Sequence, residues 1–331
     1  MISKLKNKSL SLTIVGNPYG YGHYKRMIIL KSKLKKENID NHIVDLSKLK
    51  INLLKKIDVK SYNIIFIDLS NDFFFKKKIF HILIKYLDNY RGKIFIFDSG
   101  EKNIVKFIKN DKKNRFLICP YFLSNKKKLL AKKFKCYYGP NYFLFDKIYF
   151  NKKKSRSLKK IFLSCGGLDE YNYTYKIAKT IFLINKQIEV HATAGPLFSK
   201  QNINLINTLK KNNKFYLYKA VKNPSKISQN CDLAIVSSGL IKYEMAATKI
   251  NLAVFCENFQ HFRYNFAFAK SKVAYNLSTF GSSYLMKTKI DYLLKNYYKI
   301  FLKKNNLKKI LIKNNKFHLI TKDAKRNNSS Q

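Results

Sequence analysis

Short, almost wholly apolar runs recur along this chain and constrain its fold more than any other feature. Ile64-Ile65-Phe66-Ile67, Ile94-Phe95-Ile96-Phe97, Leu233-Ala234-Ile235-Val236 and Leu252-Ala253-Val254-Phe255 are the clearest. A strand that is apolar on both sides must be covered on both sides, as in a parallel sheet between helical layers. Stretches with helical spacing stand between the runs. Phe74 to Tyr90 is one, with Ile79, Ile82, Leu83, Tyr86 and Leu87 recurring on one face. Further strands are expected at Ser11–Val15, Ile43-Val44, Phe116–Cys119, Lys160–Ser164, Ile188–Thr193 and Phe215–Tyr218. Helices are expected around Tyr175–Leu183, Ile203–Lys210, Leu240–Ala247 and Phe259–Ala269. The polar, basic stretch Asn151–Lys159 interrupts the alternation and marks a linker. Two α/β domains follow, residues 1–150 and residues 151–331, the second carrying the closing helices and tail. Two such domains are expected to face each other across a cleft, a favoured place for a ligand.

The 331 residues, 46% of them hydrophobic, suffice for two cores. Lys and Arg number 67 against 19 Asp and Glu, a net charge of +48. Lys, Asn, Ile, Phe and Tyr are inflated together and Trp is absent, as in AT-rich coding sequence, yet Glu is also scarce. The lysines are scattered, as at Lys76-Lys77-Lys78, Lys126-Lys127-Lys128 and Lys152-Lys153-Lys154, and form no nucleic-acid-binding module. Most read as solvated faces, with weak attachment to an anionic membrane surface as a secondary role. Cys119, Cys136, Cys165, Cys231 and Cys256 make no CxxC pair and are odd in number, so reduced thiols in a cytoplasmic protein are expected. No apolar run reaches the length of a membrane span, and no signal peptide is read at the N-terminus.

Four segments carry the polar chemistry. Gly16 to Arg26 links the first strand to a helix through Gly16, Gly20 and Gly22, with His23 at the helix start. It reads either as a tight turn or as a ligand-facing loop with a proton-transfer group. Ser164-Cys165-Gly166-Gly167 is a second strand-to-helix turn, equally a plain turn or a diphosphate site. In the third, Ser237-Ser238-Gly239 precedes Glu244, which suits ribose hydroxyls or is simply an exposed helix residue. In the fourth, Asn258 and Gln260 open another helix, as sugar-binding amides or as caps. Asp68 and Asp98 end apolar runs. Asp98, before Ser99-Gly100, reads as a cap, and Asp68 is left open.

In order, these pieces resemble the UDP-sugar hydrolases of pseudaminic acid biosynthesis and their spore-coat polysaccharide relatives. Gly20 to Arg26 resembles Gly-x-Gly-His-x-x-Arg, and Ser164 to Asn172 resembles Ser-x-Gly-Gly-x-Asp-x-x-Asn. Gly139-Pro140-Asn141-Tyr142 is similar to Gly-Pro-x-Tyr, Asp232 to Glu244 to the next motif, and Glu257 to Gln260 to an Asn-Gln segment. The likeness runs from Leu12 to Ala269. It implies a GT-B-like α/β fold: two Rossmann-like domains with parallel sheets facing an interdomain cleft. It implies metal-independent, cofactor-free cleavage of a UDP-linked amino or deoxy sugar, such as UDP-2,4-diacetamido-2,4,6-trideoxy-β-L-altropyranose, at the anomeric carbon. His23 would activate or orient water. Gly166, Gly167, Ser238 and Gly239 would face the diphosphate, and Glu244 would hold the ribose. Gly22, Arg26, Asn258 and Gln260 would line the sugar. Two departures bear on the sugar. Asp68 is followed by Leu69-Ser70 where the family often has Asp-Ser-Tyr, and Phe259 splits Asn258 from Gln260. The expected partner is a UDP-sugar, with no specific nucleic acid, and the expected state is a monomer. The alternative on the same fold is glycosyl transfer from a UDP-sugar to an envelope acceptor. A non-catalytic, nucleic-acid-binding basic protein stands as the third reading.

Overall fold

The computed structural model describes residues 8–16, 19–47, 57–70, 82–83, 85–87, 89–97, 114–122, 135–151, 157–303 and 315–325. The chain divides into two compact units, Met1–Leu144 with Lys313–Gln331, and Phe145–Ile312. Each is built on a six-stranded sheet whose neighbouring strands are all parallel.

The first sheet runs β2-β1-β3-β4-β5-β6, with β1 Lys8–Thr13, β2 Asp40–Asp45, β3 Ile64–Asp68, β4 Lys93–Phe97, β5 Arg115–Cys119 and β6 Cys136–Tyr138. Helix α1, Gly22–Lys36, crosses from β1 to β2 and buries Met27, Ile29, Leu30 and Leu34. These side chains join Phe66, Phe95 and Phe97 on one face of the sheet. Leu10, Leu12, Ile65, Ile67, Ile94 and Ile96 point to the other face, packed with Leu83 and Leu87. Both faces of β3 and β4 are therefore buried, which is why these strands read as unbroken apolar runs. Phe66 stacks on Phe95 at 5.2 Å and Phe95 on Phe116 at 4.7 Å, a ladder of cross-strand aromatic pairs.

The second sheet runs β12-β11-β10-β7-β8-β9. Its strands are β7 Lys160–Ser164, β8 Glu189–Ala194, β9 Phe215–Lys219, β10 Leu233–Ser237, β11 Asn251–Cys256 and β12 Tyr275–Thr279. Its helices are α2 Tyr173–Ile184, α3 Lys200–Asn207, α4 Ser225–Ser228, α5 Ile241–Ala247, α6 Phe259–Lys270 and α7 Ser283–Lys295. Counted from β7, this is the 3-2-1-4-5-6 order of a doubly wound dinucleotide-binding sheet.

The last helix, α8 Phe317–Lys325, lies in the core of the first unit, although the sequence groups it with the second half. Phe317, Ile320 and Ala324 pack with Met27, Leu30 and Phe95. Lys93 Nζ donates to the Asp323 carbonyl at 2.6 Å, and Tyr137 hydroxyl donates to the Asp323 carboxylate. Two strands were not read from the sequence. β6 has three residues, and β12 buries only Leu277. The expected helix Phe74–Tyr90 lies mostly outside the described residues, as do Asp98 and the three lysine triplets. Among the described residues, no helix is long and apolar enough to cross a membrane. None of the five cysteines is in a disulfide, and four of them are buried.

Candidate functional site

In an open parallel sheet the strand order reverses at one point, and the loops leaving the two strands there part to opposite faces. Ligands bind in the crevice beyond those carboxyl ends. The first sheet reverses between β1 and β3, and the second between β7 and β10. The glycine turns, His23, Asp68 and Glu244 fall at these two places, whereas Asn258 and Gln260 follow β11, one strand further out.

In the first domain, Gly16 and Gly20 pair across the loop after β1. Gly16 N–H donates to the Gly20 carbonyl at 3.0 Å, and the reverse bond is 2.7 Å. Their φ values of +105° and +74° are those at which a side chain is strained, so glycine suits both positions. Gly22 then opens α1, and His23 and Arg26 project from one face of it, three residues apart. Both meet Asp68, the last residue of β3 and the register partner of Thr13 on β1. His23 Nδ1 lies 2.7 Å from Asp68 Oδ1. Arg26 grips the same carboxylate with a two-pronged bond, Nε to Oδ2 at 2.5 Å and Nη2 to Oδ1 at 2.8 Å. Its remaining arm donates to the Tyr121 hydroxyl, and the guanidinium lies over the rings of Phe97 and Tyr121 at 5.1 and 5.6 Å.

Asp68 is fully buried and Arg26 is 4% exposed, whereas His23 is 23% exposed. Burial pushes the Asp68 carboxyl up, but the Arg26 guanidinium and His23 overrule it and hold it below its ordinary value. Burial likewise opposes the charge on Arg26, and Asp68 restores it, leaving the guanidinium more firmly protonated than usual. An ionised carboxylate can only accept hydrogen bonds, so Nδ1 of His23 is the nitrogen that carries the proton. The lone pair of the neutral ring then sits on Nε2, the arrangement of a general base oriented by a carboxylate. Arg26, expected on the sugar side, directs its guanidinium inward and holds Asp68.

In the second domain, three loops meet at the carboxyl edge. Gly166, at φ +80°, is placed so that a Cβ there would lie 3.5 Å from Ser237 Oγ, which joins the β7 and β10 turns. Gly195, after β8, packs against both glycines of the β7 turn. A Cβ on it would fall 2.4 Å from the Gly166 carbonyl oxygen and 2.6 Å from Gly167 Cα. Leu197 N–H donates to the Gly167 carbonyl at 3.0 Å, and Thr193 hydroxyl to Ser164 Oγ at 2.8 Å. Gly195→Ala is therefore expected to force the turns apart and cost roughly 1–3 kcal/mol. An unchanged thermal midpoint would show that the loops do not pack this closely. Asp169 ends the β7 turn by accepting the Tyr173 and Thr174 N–H groups at 2.7 and 2.8 Å, and so caps α2.

Ser238 is buried and Gly239 exposed. Glu244 is 8% exposed, on a helix all of whose residues are buried, so it is no exposed surface residue. Asn258 accepts the His261 N–H at 2.8 Å and is the N-cap of α6. Gln260 lies on the first turn of α6, and its side chain is outside the described residues. Sequence reasoning missed Tyr121, Gly195 and Lys242. Among the described residues, no group of three or more His, Cys, Asp or Glu side chains could hold a metal ion.

Together the two sheets are the two Rossmann-like domains of the GT-B fold, and solved structures of that fold are similar to this chain. HepE of Anabaena, in complex with UDP and glucose, aligns with a TM-score of 0.56 at 11% identity, over 96% of this chain and 99% of that one. The UDP-GlcNAc 2-epimerase from Neisseria meningitidis bound to UDP-GlcNAc aligns with a TM-score of 0.52 at 11% identity, over 95% and 98%. MurG of Acinetobacter baumannii aligns at 0.50 and 12% identity, over 96% and 99%. At such identities the likeness establishes the fold. No family model matches the chain. In sequence it resembles the uncharacterized protein MJ1062 of Methanocaldococcus jannaschii, 24% identical in an alignment 269 residues long that covers 72% of this chain. The aligned region is 53% of that relative, so the chain spans about half its length.

Proposed function

We propose that the chain is a nucleotide-sugar hydrolase that releases UDP from a UDP-linked amino or deoxy sugar in surface-glycan or nonulosonic acid synthesis. The observation that carries this reading is the His23–Asp68 pair at 2.7 Å, placed at the switch point of the first sheet and locked by Arg26. The HepE and epimerase structures, which carry UDP or UDP-GlcNAc on the same fold, support the choice of nucleotide. So do the ordered motifs of the hydrolase family.

In the proposed reaction, His23 Nε2 takes a proton from water as the water oxygen bonds to the anomeric carbon. The bond from that carbon to the diphosphate oxygen breaks, and UDP departs with the electron pair. Free sugar and UDP result, and His23 returns its proton to solvent. UDP is a good leaving group, so the main requirements are a placed nucleophile and donors for the departing charge. The second domain supplies the latter from the Gly166-Gly167 and Ser238-Gly239 turns, with Glu244 accepting from the ribose hydroxyls.

Glu244→Ala is expected to weaken UDP binding about 10- to 100-fold, the worth of hydrogen bonds to a charged acceptor. Calorimetric titration with UDP reads this directly, and unaltered affinity would remove Glu244 from the nucleotide site. The second reading is transfer, in which the same base takes a proton from an acceptor hydroxyl. A screen of UDP- and CMP-sugars for nucleotide release, with and without acceptor glycans, separates the two. Release without acceptor supports hydrolysis, and release that requires acceptor overturns it in favour of transfer.

A further inference from the structure

Lys242 is the one lysine of α5, and at 7% exposure it lies in the interior of the second domain. A buried ammonium must be well bonded or surrender its proton. Its Nζ donates to the Ser238 carbonyl at 2.5 Å and to Asn265 Oδ1 on α6. It also lies over the rings of Tyr243 and Phe268, 5.2 Å from each centroid. Asn265 is held in turn, its Nδ2 donating to the His261 carbonyl at 2.6 Å, which leaves its oxygen turned to the lysine. The carbonyl of Ser238 and the N–H of Gly239 belong to one planar peptide and point in opposite directions. A carbonyl pinned inward on Lys242 therefore turns the Gly239 N–H the other way, at a residue that is exposed.

We propose that Lys242 is a positioning residue for nucleotide binding. It fixes the Ser238–Gly239 peptide with its N–H toward the ligand, and it places under that turn a positive charge that a nucleoside diphosphate recruits together with a proton. The proposal rests on the reading of this turn as the UDP site. Burial pulls the Lys242 ammonium down to about 7, with the nearby Cys256 opposing it. The other titratable groups close by are the Cys256 thiol at the end of β11, Tyr243 on the same helix, and the His261–Glu257 pair, 3.2 Å apart, beyond Asn265. Burial pushes the Cys256 thiol up, so near pH 7 it stays a neutral thiol.

A group that binds a proton more tightly in the complex than in the free protein makes binding take up protons and weaken as pH rises. The terminal phosphate of a nucleotide loses its last proton near about pH 6, so the phosphates of the ligand are in one state above pH 7.5. The experiment is calorimetric titration of the full chain with UDP at pH 7.5 and 8, in buffers of different ionisation enthalpy, with affinities followed to pH 9. The wild type is expected to take up a fraction of a proton and to lose affinity about three- to tenfold between pH 7 and 9. Lys242→Met is expected to bind more weakly at pH 7, with no proton uptake and no slope. Lys242→Gln keeps a donor for the Ser238 carbonyl without a titrating charge. It is expected to retain affinity closer to the wild type at pH 9 but to lose the slope, which a purely structural role would not produce. If Lys242→Met fails to fold, the wild-type uptake and Lys242→Gln carry the test. UDP binding with no proton uptake and a flat profile, or an unchanged slope in Lys242→Gln, overturns the role of Lys242 and leaves the UDP site standing. A wild type that binds no UDP at any pH overturns both.

Discussion

Replacing His23 with alanine is expected to lower turnover by about 10²- to 10⁴-fold, the range that a positioned general base supplies. UDP affinity should stay nearly unchanged, because the residues proposed for the nucleotide belong to the other domain. The expected pattern is a loss in kcat with an unaltered UDP dissociation constant, read by coupled UDP release and by calorimetry. His23 is partly exposed and adds only one hydrogen bond to a carboxylate that Arg26 also holds, so its loss should leave the fold intact. Unchanged turnover would remove His23 from the mechanism.

The largest expected effect on stability is that of Asp68→Ala. Arg26 would stay buried beside Phe97 without its carboxylate, and breaking a buried pair from one side costs about 3–5 kcal/mol. For a domain of this size that lowers the thermal midpoint by roughly 10 °C. Replacing both members with leucine removes the unpaired charge, so the double variant Asp68→Leu/Arg26→Leu should recover much of the loss. It should recover no activity, because His23 is left without the carboxylate that orients it. A double variant no more stable than Asp68→Ala would show that the ion pair is not what the first domain depends on here. The pH dependence has a definite sign. The folded Asp68 carboxyl titrates below its ordinary value, so its stabilisation is present above about pH 4 and fades as pH falls through the folded value. The stability gap between wild type and Asp68→Asn should therefore be level from neutrality down to about pH 4–5 and narrow only below that.

Why some of this could be read from the residues and some could not follows from what each feature depends on. β3, β4, β10 and β11 are buried on both faces, and their apolar runs show it. β6 and β12 carry no such run: Cys-Tyr-Tyr is held by pairing with β5, and β12 keeps one buried side chain. The place of α8 depends on Phe317, Ile320 and Ala324 meeting a surface more than two hundred residues earlier, which no local pattern records.

The site divides in the same way. Gly20, Gly22 and His23 are adjacent, so a glycine turn with a histidine at a helix start is visible in the chain itself. The carboxylate that orients this histidine is 45 positions away and arrives only through the parallel register of β1 and β3. Arg26 was visible as a charge beside that turn, but its direction, inward to Asp68, is set by helix phase and burial. Gly195 carries no sequence signal beyond being a glycine after a strand, because its need is set by the backbone of the neighbouring loop. For Asn258 the residue type allowed both a sugar contact and a cap, and the structure uses its side-chain oxygen as the cap.

The most direct test of the account is UDP release in water enriched in oxygen-18, with no acceptor present. Wild-type protein is given a panel of UDP-linked amino and deoxy sugars, beside the His23→Ala variant. The wild type is expected to release UDP from at least one sugar, with the heavy oxygen found in the sugar and not in UDP, and the variant to release it about 10²- to 10⁴-fold more slowly. Heavy oxygen in the released UDP, or release that His23→Ala leaves untouched, would contradict the account.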